Sequence, residues 1–195
     1  MSDFERRSFA TELRSEITPE RGPQIFGHGA VFNARSVNLG GFREIIMPGA
    51  FNDAINDDVR AVFNHDQNFI LGRSSSKTLR LSLDDTGLAY EIDAPDTQMI
   101  RDLVLTPMAR GDLRESSFMF TVAYDGDEWT QDDEGIIVRK VHRVSRLYDV
   151  GPVTFPAYEA ADSAKRCIEQ MRADGDLEKS LNQRSYRERL LKILR

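Results

Sequence analysis

SKTLRLSLDDTGLAYEIDAP, residues 76–95, alternates apolar and polar side chains on both sides of Asp84-Asp85-Thr86-Gly87. A repeat of two is the period of a strand with one buried face, and an Asp/Gly-rich break between two such runs is a turn signal. The stretch therefore predicts a β-hairpin, and the segments around it read in the same way. Upstream, QIFGHGAVF (24–32) has the glycine spacing of a bent or bulged strand, FREIIM (42–47) is a short strand, and VRAVFNH (59–65) is an apolar strand with His65 at its end. Downstream, SSFMFTVAYDGDEW (116–129) and IIVRKVHRVSRLYDV (136–150) each predict a strand, and GPVTFPAY (151–158) completes the core.

Helical signals are few. Pro48 opens a short predicted helix, AFNDAIN (50–56), and Asp96 is a predicted N-cap for TQMIRDLVLTPMARG, closed by Gly111 and kinked or shortened at Pro107. Residues 1–24 are polar and charged, though FATELRS permits a first strand with Phe9, Thr11 and Leu13 on one face. Residues 25–160 form the predicted core. Residues 161–195 read as a linker and tail, with RADGDLEKS followed by an amphipathic helix whose apolar side holds Leu190, Leu191, Ile193 and Leu194. The expected fold class is α+β: a mostly antiparallel β-barrel, closed or nearly so, flanked by a few helices and followed by a helical C-terminal tail.

Composition narrows the function. The chain has 195 residues, 40% of them hydrophobic, enough for one core, and a net charge of −6. That acidity argues against nucleic-acid binding through bulk electrostatics. Cys167 is the single cysteine; it lies in a charged, helix-like run and is read as a packing residue, not a nucleophile. The N-terminus lacks the apolar core of a signal peptide and no segment is apolar enough to cross a bilayer, so a soluble cytoplasmic protein without membrane partners is expected.

The sequence has three histidines, His28, His65 and His142. His28 sits between two glycines, and His142 has cationic neighbours. His65 stands where an apolar strand meets a polar turn, the place where a sheet fixes the backbone and a loop admits substrate. Ser116 and Ser117 begin an apolar strand, and alternation lets only one of them face a given histidine. A hydroxyl attacks a carbonyl only beside a base and an oxyanion site. The patterns GxSxG, HExxH, paired CxxC and Walker A are absent. A metal-dependent hydrolase built on His28, His65 and His142 lacks close ligand spacing.

Six segments taken together resemble the tailed-phage prohead (capsid maturation) serine protease family, which is similar to the herpesvirus assemblins. They are GHGAVFN (27–33), LGGFREIIMPGAF (39–51), VRAVFNHD (59–66) with LGR after it, LRLSLDDTGLAYEIDAPDT (79–97), RGDLRESSFMF (110–120) and LYDVGPVTFPAY (147–158). They follow the family's order from about Phe26 to Tyr158. The resemblance implies His65 as general base and Ser117, before Phe118, as nucleophile, with Ser116 as the competing serine. Many members carry glycine and methionine before the serine and glycine after the phenylalanine, where this chain has Glu115, Ser116 and Met119. Asp149 is the implied orienting acid and His142 the alternative, the assemblins using a second histidine there. Asp66 is a poor orienter because successive strand residues point apart. Gly151 marks a turn whose backbone N–H groups could serve the oxyanion, a role closed to Pro152.

What the resemblance implies is an endopeptidase without metal or cofactor. Its expected substrates are the scaffolding segment of the major capsid protein and its own tail. Its expected place is inside the assembling procapsid in the host cytoplasm, where it self-associates. A non-catalytic capsid-assembly or scaffold module of the same fold is the alternative.

Overall fold

A computed structural model of the chain describes residues 4–155 together with 169, 172, 173, 175, 178 and 179. Cys167 and the predicted terminal helix lie outside the described residues. The strands in chain order are β1 (Glu5–Ala10), β2 (Arg14–Thr18), β3 (Gly22–Val31), β4 (Phe42–Ile46), β5 (Arg60–Val62) and β6 (Ile70–Arg73). They continue with β7 (Leu79–Leu83), β8 (Gly87–Asp93), β9 (Glu115–Val122), β10 (Asp127–Gln131), β11 (Ile137–Val141) and β12 (Val144–Val153). The protein is thus mostly β.

The hairpin read from residues 76–95 is present as β7 and β8, paired from Leu79↔Ile92 to Leu83↔Leu88. Its turn is tied by Asp84, whose Oδ1 accepts from the backbone N–H groups of Thr86 and Gly87, both at 2.8 Å. The glycines of β3 do bend the strand: its register with β8 shifts between His28 and Ala30. The polar first 24 residues contribute both β1, which pairs with β9, and β2, which pairs with β3. Phe9 lies within β1, while Thr11 and Leu13 fall after it.

Three expectations are corrected. The strands do not close into a barrel. They form a five-stranded sheet ordered β1, β9, β12, β5, β6, a three-stranded sheet ordered β10, β11, β4, and a four-stranded sheet ordered β2, β3, β8, β7. β1 meets the three-stranded sheet through charged side chains, not through a backbone ladder, and the chain just after β3 touches β4 by the isolated bridge Phe32↔Ile46. Two pairings are parallel, β11 with β4 and β12 with β5.

The second correction concerns residues 136–150, which are two strands in different sheets. The break falls at His142-Arg143, where both backbone N–H groups donate to the Gly126 carbonyl at 2.7 and 3.0 Å and turn the chain. Residues 116–129 are likewise split at Ala123–Gly126, between β9 and β10. The third correction is helical. AFNDAIN is a run of linked turns: Gly49 has φ 84°, and most of the local bonds span three residues, such as Ala54 N–H to the Phe51 carbonyl at 3.0 Å. A run this short does not offset the cost of nucleating a helix.

A helical segment, α1, runs through Gln98–Ile100, Arg101–Leu105 and Thr106–Arg110. Thr97, not Asp96, caps it, accepting from the Ile100 N–H at 3.3 Å, and Gly111 ends it in the left-handed region at φ 78°. Its middle turn is widened, with Thr106 N–H reaching the Arg101 carbonyl. The wide turn falls beside Pro107, which has no N–H to continue a regular ladder.

Apolar side chains from all three sheets and α1 fill one core, including Ile25, Phe51, Leu71, Leu88, Val104, Phe118, Phe120, Val141 and Val150. Phe118 is its aromatic centre, with ring centroids of Phe120, Phe51 and Phe9 at 4.7, 5.5 and 6.1 Å.

Between β1 and the three-stranded sheet lies a second kind of interior, built from charge. Arg7 donates to Glu44 (2.8 and 3.0 Å), and Arg139 donates to Glu5 (2.7 Å), Glu44 (3.0 Å) and Asp127 (2.6 Å). Glu5, Arg7, Glu44 and Arg139 are all buried. Burial alone would raise the Glu5 carboxyl, but Arg139 and Arg7 outweigh it and hold the group below its ordinary 4.5. A lowered folded-state value means that this contribution to stability is complete above pH 4.5 and is lost as the pH falls through the folded value.

Removing one member strands the opposite charge in a dry interior. Arg139→Ala is expected to lower unfolding free energy by about 3–5 kcal/mol in urea titrations at pH 7. Wild-type stability should fall as the pH drops below 4.5, and Glu5→Gln should flatten that fall.

Candidate active site

β9 carries two serines in succession, and the pleat separates them. Phe118 faces the core, so its neighbour Ser117 faces the other side of the five-stranded sheet. Ser116 shares the core side, where its hydroxyl lies 3.0 Å from the Tyr90 hydroxyl and 3.3 Å from the Gly151 carbonyl. β12 lies antiparallel to β9, with Gly151 opposite Ser117 and Asp149 opposite Met119. Ser117 and Asp149 therefore stand on one face of adjacent strands.

His65 reaches that face from β5, which pairs in parallel with β12 through Asp149↔Arg60 and Val150↔Ala61. After Val62 the chain turns sharply, and both Asn64 (φ 55°) and His65 (φ 57°) adopt left-handed backbone. Such conformations are uncommon for residues other than glycine, and two in succession need support. Asn64 supplies it: its Nδ2 donates to Thr154 Oγ1 at 2.8 Å, and its Oδ1 accepts from the Thr154 N–H at 2.7 Å. The loop holding His65 is thus clamped to the end of β12.

Gly151 is what lets the two strands come this close. A Cβ there would sit 2.2 Å from the Val62 carbonyl oxygen. The glycine admits the end of β5, and with it the histidine turn, over Ser117.

The result is a continuous line of polar groups. Asp149 Oδ1 lies 2.7 Å from His65 Nδ1, and His65 Nε2 lies 2.6 Å from Ser117 Oγ. A carboxylate only accepts, so Nδ1 carries the ring proton, and Nε2 is left bare to receive a hydrogen from the hydroxyl. Ser117 is 0% exposed, and the His65 and Asp149 side chains are 10% and 8% exposed. Water therefore screens these contacts little.

The remaining sequence candidates lie elsewhere. His142 is exposed beside Glu128 at 3.6 Å, and His28 pairs with Asp84 at 2.9 Å across β3 and the β7–β8 turn. Asp66 accepts from Asn68 N–H at 2.8 Å and takes no part in the line. Among the described residues no three His, Cys, Asp or Glu side chains gather as a metal-holding group. No helix among them is long and apolar enough to cross a membrane.

Two features of the site escaped sequence reasoning. The Asn64–Thr154 clamp leaves only a faint signal, an asparagine where left-handed backbone is tolerated. The other is β1: the Ser117 hydroxyl lies 2.8 Å from the Arg7 carbonyl oxygen. A signal for β1 did exist in its pattern, since Glu5, Arg7 and Phe9 alternate on one face of a strand that ends at Ala10.

The family model described as caudovirus prohead serine protease matches residues 10–174 of the chain. No curated protein and no solved structure matches it.

The clamp can be tested through its backbone. Asn64→Gly keeps the left-handed turn and loses only the side-chain bonds, whereas Asn64→Val forces a β-branched residue into it. The valine variant is expected to be less stable than the glycine variant by about 1–2 kcal/mol, measured by urea unfolding.

Proposed function

The chain belongs to the caudovirus prohead serine protease family, which makes it a capsid-maturation protease of a tailed phage, and on that premise we propose that Ser117, His65 and Asp149 carry its chemistry. The observation that supports the reading is the unbroken line from carboxylate to imidazole to hydroxyl, at 2.7 and 2.6 Å.

In the proposed reaction Ser117 Oγ attacks a peptide carbonyl carbon while His65 Nε2 takes the hydroxyl proton. Asp149, accepting from Nδ1–H, keeps the ring in the useful tautomer and stabilises the imidazolium that forms. Gly151 lies within β12 opposite Ser117 and not in the turn that the sequence suggested; a backbone N–H beside it is the proposed donor to the oxyanion. The tetrahedral species collapses, the imidazolium gives its proton to the leaving amine, and water then hydrolyses the acyl-enzyme with His65 again acting as base. Ser116, turned to Tyr90 in the core, has no part in this scheme.

The proposed substrates are the scaffolding segment of the major capsid protein and the enzyme's own tail. Residues 1–24, 25–160 and 161–195 are the proposed N-terminal segment, protease core and removable tail. Cleavage takes place inside the procapsid as it assembles in the host cytoplasm, where copies of the enzyme associate.

Co-expression with the capsid precursor, followed by mass spectrometry of the new termini, tests the scheme. Ser117→Ala and His65→Ala should stay folded and leave both precursor and tail uncut, while Ser116→Ala should still cut. Asp149→Asn should slow cleavage by up to about 10⁴-fold. A fluorophosphonate should label wild-type Ser117 and not the His65→Ala protein. Cutting by Ser117→Ala removes the nucleophile assignment; a wild type that neither labels nor cuts favours a scaffold module.

A further inference from the structure

The Ser117 hydroxyl has one hydrogen and two acceptors, His65 Nε2 at 2.6 Å and the Arg7 carbonyl oxygen at 2.8 Å. Only the first bond prepares it for attack. A peptide carbonyl carbon must also come within about 3–3.5 Å of Oγ, yet Ser117 is fully buried. The group now beside that hydroxyl is itself a peptide carbonyl, the one between Arg7 and Ser8, and its oxygen competes with His65 for the one hydrogen.

β1 is the edge strand of its sheet and pairs only with β9, in register from Glu5↔Phe120 to Ala10↔Glu115. Ser8 stands opposite Ser117. On the other face of β1, Arg7 enters a receptacle headed by Glu44, and Glu5 meets Arg139. An incoming strand with the same chemistry would find the same partners.

We propose that β1 is a built-in pseudosubstrate, and that a substrate peptide binds as an antiparallel strand along β9 in its place. The inference rests on the Ser117–His65 reading. The residue whose carbonyl reaches Ser117 is then the one N-terminal to the cut, and it occupies the Arg7 position. Glu44 selects a basic side chain there, and Arg139 favours an acidic one two residues earlier. The preferred substrate is a peptide of the form acidic–any–basic, cut after the basic residue, with a small residue such as serine to follow. While β1 is in place the enzyme is latent. Once substrate displaces it, the carbonyl beside Ser117 is the scissile one, and His65 takes the Ser117 hydrogen as that carbonyl is attacked.

A reversible cross-link tests this in the full chain. Arg6 and Met119 are directly opposite across β1 and β9, so Arg6→Cys with Met119→Cys, on a Cys167→Ser background, pins the strand when oxidised and frees it when reduced. Both forms are compared for fluorophosphonate labelling at Ser117 and for cutting of co-assembled capsid precursor. Circular dichroism checks that each is folded. The expected result is loss of labelling and cutting on oxidation, by at least about tenfold, with recovery on reduction. Equal rates in the two forms overturn the pseudosubstrate while leaving the Ser117–His65 chemistry intact. No labelling in either form, nor in a wild type that does cut precursor, overturns the nucleophile assignment instead.

Selectivity is read separately, with peptides EARSFA and EAESFA and the reduced protein. The first should be cut at least about tenfold faster in kcat/KM, since a like charge set against Glu44 is disfavoured. Equal rates overturn the basic preference.

Discussion

One antiparallel ladder, between β9 and β12, decides what can meet in this protein. Its pleat sends Phe118 into the aromatic centre of the core and Ser117 to the opposite face, and it aligns Asp149 on β12 with that same face. A slip of one residue would exchange the two sets, burying the hydroxyl among phenylalanines and exposing the rings. The core therefore guards the site: the burial of Phe118 and Phe120 specifies the register that brings the polar groups together. The parallel pairing of β5 to the other side of β12 adds the histidine, with Gly151 giving the room for that close approach.

The charge interior plays a different part. Three carboxylates and two guanidiniums join β1 to β4, β10 and β11. Such a network adds less net stability than apolar packing of equal volume, because each ion is desolvated. What it confers is discrimination, since a strand lacking the complementary charges leaves ions unpaired. The network positions β1 so that its backbone covers Ser117. The same set of charges thus joins two sheets and holds β1 beside Ser117.

Much of this was legible in the residues. Period-two alternation identified the β7–β8 hairpin, the glycines of β3 marked a real bulge, and Gly111 marked the end of α1. The histidine at a strand end and the second serine at a strand start are brought into contact with each other, and the histidine also meets Asp149. Local pattern failed where a strand changes sheets. Nothing in VHRV announces that Gly126 will capture two successive N–H groups and break the run. It also failed for AFNDAIN, whose helical composition is overridden by Gly49 and by the short span available.

Alternation, turn chemistry and charge by themselves determined that the chain would be strand-rich and where most strands would lie, while the resemblance of six segments to a family singled out His65, Ser117 and Asp149. The strand signals are properties of residues and their immediate neighbours, set by the pleat and by steric limits on φ. Only the tertiary structure decided that the sheets would remain three and not close, that Ser117 and not Ser116 would face His65, and that Asp149 and not His142 would stand behind it. It also decided that the first strand would lie beside Ser117. Those outcomes depend on contacts between residues 37 to 134 positions apart, and no local pattern encodes which distant backbone will pass within hydrogen-bonding reach.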